Sequence, residues 1–368
     1  MTILPTELPP IPVPLPVTTP APLLATRPVI TGCGLAVSGL RDERDLLAAP
    51  FAASADDPGA PGPGLRHKDR ASRMALRAVR RALDAAGIDA PAATAVVVSS
   101  NFGNLDTVCD FTDTIAAETV TGLSPLRVPH MSSHVTAAWV AIEHGLRGPN
   151  LTLCSGTPGG LDAVFWAATL LATGRAEVAV VVGVEPGTAP VARLHRERGG
   201  TAWLDGAACL VVENAARARA RGVRARAAIS GYGRATDRGD AVRQAVKAYD
   251  RPIGLRVAAG PDGPALDLTG RLGRCSGALG VLQCAAALAW FDRSAEDGDR
   301  GPRSGRDAVL AIAGAEPGRS GHAAERRGGL FPGGLLPEAR ADGEGDPSGV
   351  AALLLTRPAP DRAGREPS

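Results

Sequence analysis

The segment RPVITGCG, residues 27–34, recurs as RAAISGYG, residues 226–233, and this repeat decides the fold. Each copy contains β-branched and small residues followed by two glycines, so we predict a strand that runs into a glycine turn. A strand motif that recurs in the second half of a chain indicates a duplicated architecture. The two copies therefore mark the starts of two related halves.

The elements that follow each copy also correspond. Amphipathic helices are predicted at residues 72–88 and 240–253, because apolar residues recur there at helical spacing. Wholly apolar segments at residues 177–185 and 307–315 predict strands that are buried on both faces. Strands that alternate with helices in both halves predict an α/β protein, with five layers in the order αβαβα.

These repeats also set the predicted domain boundaries. Residues 27–225 form the N-terminal half and residues 226–358 the C-terminal half. Within the second half, residues 316–347 are rich in Gly, Pro, Arg and acidic residues, which predicts a long inserted loop. The Pro-rich residues 1–26 and the polar residues 359–368 are predicted to be a disordered arm and tail.

The composition excludes several classes of function. The 368 residues carry 40 basic and 38 acidic side chains, and this net charge of +2 gives no electrostatic footprint for nucleic acid. The six cysteines lie far apart with no C-x-x-C pair, which is untypical of zinc ribbons and disulfide scaffolds. No apolar run reaches the ~18–20 residues that span a bilayer. We therefore expect a cytoplasmic protein with no nucleic-acid or membrane partner.

Two short motifs have a ligand-binding alternative. His130 and His134 have the i, i+4 spacing of a zinc pair, but the first precedes the helix and no third ligand is evident. Gly32-Cys-Gly34 is similar to a dinucleotide loop, but the third glycine of that pattern is replaced by Val37. We therefore predict no metal and no cofactor.

Several longer segments carry a resemblance to a known family. They include SSNFGN at residues 99–104, LSPLRVPHMSSHVTAAWVAIEHGLRGPNLTL at residues 123–153 and GRCSGALGVLQCAAAL at residues 273–288. Through these segments, residues 27–358 resemble the β-ketoacyl synthases of the thiolase superfamily. The resemblance implies a thiolase-like duplicated fold in five αβαβα layers.

The resemblance also locates the three catalytic positions of the family, and none of them keeps its residue. The position of the cysteine nucleophile, between a strand and the following helix, is Thr157. The two histidine positions are Ala259 and Arg274, with Arg271 as the alternative register for the second. The lysine that the family has shortly before the second histidine is also absent.

These replacements argue against catalysis. A threonine hydroxyl needs a base to remove its proton, whereas Ala259 offers none and Arg274 keeps its protons. Pro158 removes an N–H at the start of the next helix that could stabilise an anion. Cys154 is predicted to lie inside the preceding strand as a small buried apolar residue. We therefore predict vestigial, structural roles for Thr157, Ala259 and Arg274.

One branch of the family has this pattern of losses, namely the chain length factor, or ketosynthase β subunit, of type II polyketide synthases. The resemblance implies a heterodimer with an active ketosynthase α subunit and transient contact with an acyl carrier protein. Such subunits often carry Gln at the position of Thr157, so any activity attributed to that Gln is not transferred. The alternatives are a stand-alone acyltransferase or decarboxylase of the same fold, or a structural homodimer.

The same resemblance assigns two surfaces. The helix after SSNFGN would line the end of the polyketide tunnel, with an ordinary core stripe as the alternative. Its tunnel residues would be Leu105, Val108, Cys109 and Thr112. The strand before the nucleophile position would pair across the dimer axis. Its interface residues would be Leu151, Thr152, Leu153, Cys154 and Ser155.

The Arg-rich residues 216–226 are interpreted as a solvated helix end, with a carrier-protein patch as the alternative.

Overall fold

The computed structural model describes the central part of the chain with several gaps. The described residues are 27–48, 56–65, 67–89, 91, 93–196, 202–258, 265–296, 306–314 and 348–358. The predicted arm at residues 1–26, the whole predicted insertion at 316–347 and the tail at 359–368 lie outside the described residues, as does Ala259. The domain boundaries therefore stay predictions.

Strands and helices alternate along the described part of the chain. The strands are β1 (Pro28–Val37), β2 (Ala95–Ser99), β3 (Asn150–Leu153), β4 (Val178–Glu185), β5 (Gly206–Asn214), β6 (Ala227–Ala235), β7 (Leu255–Val257), β8 (Ala265–Leu266), β9 (Ala308–Gly314) and β10 (Val350–Thr356). The α-helices are α1 (Arg70–Ala86), α2 (Leu105–Glu118), α3 (Val135–Glu143), α4 (Gly159–Ala172), α5 (Ala189–Arg196), α6 (Ala215–Ala220), α7 (Arg238–Val246), α8 (Thr269–Leu272) and α9 (Leu279–Glu296). Short 3₁₀ helices span Glu43–Leu47, Val120–Gly122, Pro125–Met131 and Ser276–Ala278.

The order of the strands shows the duplication directly. They form one mixed sheet in the order β3-β2-β4-β5-β1-β6-β10-β9-β7-β8. When β6 to β10 are counted as second copies of β1 to β5, this order is 3-2-4-5-1 followed by its mirror image, 1-5-4-2-3. The two half-sheets join through a short antiparallel pairing of Val29 and Ile30 with Ala228 and Ala227. The duplicated, mixed α/β fold that the repeat predicts is confirmed.

The apolar cores lie between successive layers. On β4, Val180 and Val182 face α1, whereas Val181 faces the central core, so both faces of this strand are buried as predicted. The central core contains α4 and α9 and reaches both half-sheets. A third core packs α7 against the outer face of β9 and β10. Helices therefore cover both outer faces and separate the two half-sheets.

The glycines of the repeat have a different role from the predicted turn. β1 continues through Gly32 and Gly34, and a Cβ at either position would overlap a backbone carbonyl oxygen of α1. In the second half, Gly231 and Gly233 lie in β6, and a Cβ there would overlap carbonyl oxygens of α7. The glycines thus allow an outer helix to pack directly on a strand, twice, and the prediction of a turn is wrong.

The predicted helix over residues 240–253 is also too long. α7 ends at Val246, and the Tyr249 N–H donates to the Val246 carbonyl in the turn that follows. Pro252 disfavours helical conformation in the residue before it, which limits the helix in this direction.

α9 has 18 residues, and its largest buried side chain is Phe291. It lies between the half-sheets and packs against α4 and β9. In the part of the chain that the structure describes, no helix combines the length and apolarity needed to cross a membrane.

Candidate functional site

The candidate site lies where the parallel strands β3, β2 and β4 end. Their carboxyl ends are at Leu153, Ser99 and Glu185, at one edge of the first half-sheet. In α/β sheets, ligands bind at this edge because the loops that follow the strands converge there. The turn at residues 273–280, from the second half of the chain, packs against these loops.

Glu185 organises this edge. Its buried carboxylate accepts hydrogen bonds from the backbone N–H groups of Asn101 (2.9 Å), Phe102 (3.1 Å) and Gly277 (3.0 Å). Burial raises the pKa of Glu185 to about 7, although these hydrogen bonds act in the opposite direction. The carboxylate therefore ties the loop after β2 to the turn before α9.

Asn101 makes a second link between the same segments. Its Nδ2 group donates to Ser276 Oγ at 2.7 Å, and its Oδ1 atom accepts from the Gly156 N–H at 3.1 Å. Ser276 has a φ of 43°, in the left-handed region that favours glycine, so the network holds it in a strained conformation. The loops that follow β2 and β3 and the second-half turn thus form one hydrogen-bonded unit.

Two helix starts meet beside this network. A Cβ at Gly160 of α4 would approach the Gly280 N–H of α9 to 2.7 Å, so the absence of side chains at both positions permits the contact. Thr157 is half-buried and stands two residues before the start of α4. This is the strand-to-helix turn in which the family resemblance puts the nucleophile.

Asp162, in the first turn of α4, provides a third link between the two halves. It accepts hydrogen bonds from Tyr232 Oη at 2.7 Å and from Ser155 Oγ at 3.0 Å, and Arg234 Nε lies 3.2 Å from it. Burial, followed by the charge of Asp162, raises the pKa of Tyr232 well above its usual range, so the phenol stays a donor. Phe165 stacks on the Tyr232 ring at 4.1 Å between centroids.

The two arginines proposed for the second histidine position have different surroundings. Arg274 has an exposed side chain, and its backbone pairs with the segment before β5 through the Ala202 carbonyl and the Leu204 N–H. The Arg271 guanidinium donates to the carbonyl oxygens of Leu46 and Ala48, which is a structural contact. Neither arginine offers a lone pair that could accept a proton.

Cys154 corrects one of our expectations. β3 ends at Leu153, so Cys154 follows the strand, and its side chain is exposed, not buried. The strand is short because it pairs with β2 over only four residues. Partial loss of hydration, together with the charge of Glu185, raises the pKa of the Cys154 thiol above its ordinary value. The thiol is therefore not activated as a thiolate.

The two histidines with the spacing of a zinc pair, His130 and His134, make polar contacts within the chain. His130 is buried in a 3₁₀ helix with Nδ1 3.4 Å from Asp69 Oδ2, and Asp69 caps α1 through the Ser72 N–H. His134 lies at the start of α3, and its Nδ1 is 2.6 Å from Ser132 Oγ. In the described ranges, no group of three or more His, Cys, Asp or Glu side chains could hold a metal ion.

The predicted tunnel residues form an outward-facing stripe on α2. The side of this helix that is buried within the chain carries Thr107 and Phe111. Leu105, Val108 and Cys109 are half-buried, and Thr112 is exposed. An ordinary core stripe would be covered by this chain, so these exposures disfavour the core alternative.

An apolar surface lies next to the predicted interface strand. Six of the seven exposed large apolar side chains in the described residues lie between residues 115 and 142, and we call them the apolar band. They are Ile115, Val120, Leu126, Val128, Met131 and Ile142. β3 follows this segment and occupies the edge of the sheet, with β2 as its partner. Its side chains at Leu151, Thr152 and Leu153 are half-buried.

Sequence reasoning missed the residues that organise the site. Glu185 ends an otherwise apolar strand, and a carboxylate in such a position was a usable signal for a buried polar centre. Asn101 and Ser276 are far apart in the sequence and meet only through the fold. Glu185, Asn101 and Ser276 belong to one hydrogen-bonded network. In the described part of the site, this network contains no nucleophile in contact with a base.

Comparisons with known proteins agree with this architecture. Residues 51–223 match the profile of the family "Beta-ketoacyl synthase, N-terminal domain". A 3-oxoacyl-[acyl-carrier-protein] synthase 2 of Rhizobium meliloti (strain 1021) is 28% identical over 170 residues, which cover 39% of this chain and 40% of that protein. The same-named protein of Vibrio harveyi is 26% identical over 198 residues, covering 47% and 48%. These matches span about half the length of the curated relatives or less.

Solved structures extend the likeness over most of the chain. The ishigamide ketosynthase/chain length factor has a TM-score of 0.65 at 22% identity, covering 90% of this chain and 99% of that chain. A type II polyketide synthase ketosynthase in complex with its acyl-carrier protein has a TM-score of 0.67 at 15% identity, with the same coverage. The fold is therefore that of the thiolase-like ketosynthases. With the family match over residues 51–223, this makes the chain a ketosynthase-like protein.

Proposed function

We propose that this chain is a non-catalytic, chain-length-factor-type subunit of a type II polyketide synthase. It would pair with an active ketosynthase and shape the cavity in which the polyketide grows. The observation that carries the proposal is Thr157, which stands before α4 where the family resemblance puts a cysteine. The nearest thiol, Cys154, has a raised pKa, and the arginines of the second-half turn cannot act as bases.

The surface of the chain supports a protein partner. The apolar band precedes β3 in the sequence, and its last residue, Ile142, lies on α3, which packs against β3. Exposed apolar patches and unpaired strand edges favour association, because both lose their contact with water when they are covered. A stable partner that covers both would bury more than ~2,000 Å² in total, as obligate interfaces do.

The stripe on α2 gives the chain a means to affect product length. Leu105, Val108 and Cys109 are only half-covered by this chain, so a partner that covers the apolar band would enclose them. The volume left beside this stripe would then limit how far an acyl chain extends. The condensation itself would take place in the partner, on thioesters delivered by an acyl carrier protein.

The alternative is a stand-alone enzyme of the same fold, an acyltransferase or decarboxylase. The curated relatives are synthases by name, which is the observation that favours it. An acyl-thioester probe separates the two proposals. The isolated chain and its complex with an active ketosynthase would be treated with the probe and analysed by intact-protein mass spectrometry.

We expect no adduct on the isolated chain. In the complex, we expect an adduct on the ketosynthase partner and none on this chain. Thr157→Ala and Cys154→Ala serve as matched controls, because neither should change this pattern. A stoichiometric adduct on the isolated chain that disappears in either variant would contradict the proposal and favour the enzyme.

A further inference from the structure

A cavity of about 490 Å³ lies where the two half-sheets join. Its polar lining consists of five arginines, namely Arg27, Arg219, Arg224, Arg226 and Arg357. The other lining residues are alanines, valines, a glycine and a proline. The size lies within the range of small-molecule sites, which combine an apolar floor with a few charged or polar groups.

The lining of this cavity contains no carboxylate among the described residues. An adjoining cavity of about 480 Å³ shares Arg224 and Arg226 but is also lined by Asp292 and Glu296. Two of the lining arginines are paired with carboxylates outside the lining, since Arg226 binds Glu43 and Asp292, and Arg357 lies 3.6 Å from Asp307. Among the described residues that line the first cavity, the charged groups are all arginines, which favours an anionic ligand.

The Arg-rich segment that the sequence singles out divides into two sets. Arg217 and Arg221 bind the buried Glu213 and are structural. Arg219 and Arg224 line the cavity, on either side of the turn that follows α6. The Arg224 side chain is 71% exposed and 4.0 Å from Asp292, so it can reorient toward a ligand. The interpretation as a solvated helix end therefore fails for Arg217 and Arg221, whereas the exposed Arg219 and Arg224 agree with it.

This cavity is separate from the candidate site. β4 runs from Val178 to Glu185, and the pairing through β5 puts the start of β1 at the Val178 end. The eight residues of β4 span about 25 Å at the rise of a β-strand. Arg27 and Glu185 thus lie at opposite ends of the strands, so a ligand beside Arg27 is remote from the candidate site.

We propose that this cavity binds a small organic phosphate, with the phosphate on the arginines and an aliphatic part on the floor of alanines and valines. The planar guanidinium fork matches the geometry of phosphate oxygens, and such charge-assisted hydrogen bonds are strong. The concave shape favours a small molecule over the surface of an acidic protein. The aliphatic floor distinguishes an organic phosphate from the inorganic anion.

Calorimetric titration of the full chain at low ionic strength tests this proposal. The probes are inorganic phosphate, methyl phosphate and butyl phosphate. We expect saturable 1:1 binding of butyl phosphate, with affinity rising by up to about fourfold for each methylene that the floor buries. Arg219→Gln combined with Arg224→Gln should weaken binding about tenfold or more.

Arg243→Gln is the matched control, because Arg243 is also 71% exposed, pairs with Asp240 and lies on α7 outside the cavity lining. It should leave butyl phosphate binding unchanged. Equal weakening by the control, or no saturable binding of any probe, would overturn the proposal. So would equal affinity for inorganic and butyl phosphate. Loss of carrier-protein binding in the double variant, with phosphate binding unchanged, would instead assign these arginines to a protein contact.

Discussion

The two halves of this molecule share one scaffold but differ in what they attach to it. Both halves order their strands in the same way, and both use a pair of glycines to seat an outer helix. The connection from the second to the third strand, however, spans residues 100–149 in the first half and only residues 258–264 in the second. The two halves thus have the same strand order, but the connection between their second and third strands differs greatly in length.

This difference shows where function is added to the fold. The long connection of the first half contains α2, α3 and the whole apolar band. The second half contributes Gly277 and Ser276 to the Glu185 network, Tyr232 to the Asp162 contacts and two arginines to the cavity at the junction, but none of the apolar band. We infer that the first half carries the partner surface.

The largest effect should come from disrupting the apolar band. Leu126→Asp combined with Ile142→Asp puts two charges where side chains that are now 87% and 67% exposed would be covered by a partner. We expect the affinity for the ketosynthase partner to fall about 100-fold or more, as for two central interface positions. Co-purification and sedimentation measure this loss. Ala248→Asp, at an exposed position of the second half, is the control, and an equal effect of both changes would remove the distinction between the halves.

The glycine pairs test the shared part of the scaffold. Gly34→Val and Gly233→Val would each drive a side chain into the backbone of an outer helix, α1 or α7. Overpacking against backbone should lower the free energy of unfolding by about 3 kcal/mol in either half. Denaturant titration measures it, and Gly62→Ala, which meets only Leu65 at 3.9 Å, should be nearly neutral. Tolerance of valine in one half would show that the halves are not packed alike.

The Glu185 network predicts a pH dependence. The pKa of this carboxyl is about 7 in the folded protein and near its ordinary 4.5 in the unfolded chain, so the folded state alone holds the proton between these values. Its contribution to stability is therefore complete below pH 4.5 and is lost as the pH rises through about 7, by up to about 3 kcal/mol. Glu185→Gln should remove this slope, whereas Glu296→Gln, at an exposed carboxyl, should keep it. Parallel pH profiles for wild type and Glu185→Gln would contradict the assignment.

Much of the fold was accessible from the sequence because the repeat and the apolar strands are local patterns. The strand at residues 177–185 is correct for that reason. The glycines of β1 were misread because the sequence does not reveal the approach of α1, and Cys154 was misplaced because the end of β3 depends on its pairing with β2. The links from Asn101 to Ser276 and from Asp162 to Tyr232 join distant residues, so no local pattern could predict them.

The length of the product made by the reconstituted pair tests the central proposal most directly. Leu105→Trp and Val108→Phe would fill the half-covered stripe on α2, and one steric clash of ~1–3 kcal/mol is enough to shift a product distribution about tenfold. Ala117→Phe, on another side of the same helix, and Thr157→Ala are the controls. Mass spectrometry should show shorter products with both stripe variants, at unchanged condensation rates, and wild-type products with both controls. Unchanged product length with both stripe variants, in complexes shown to be intact, would contradict a role for this chain in setting the length of the polyketide.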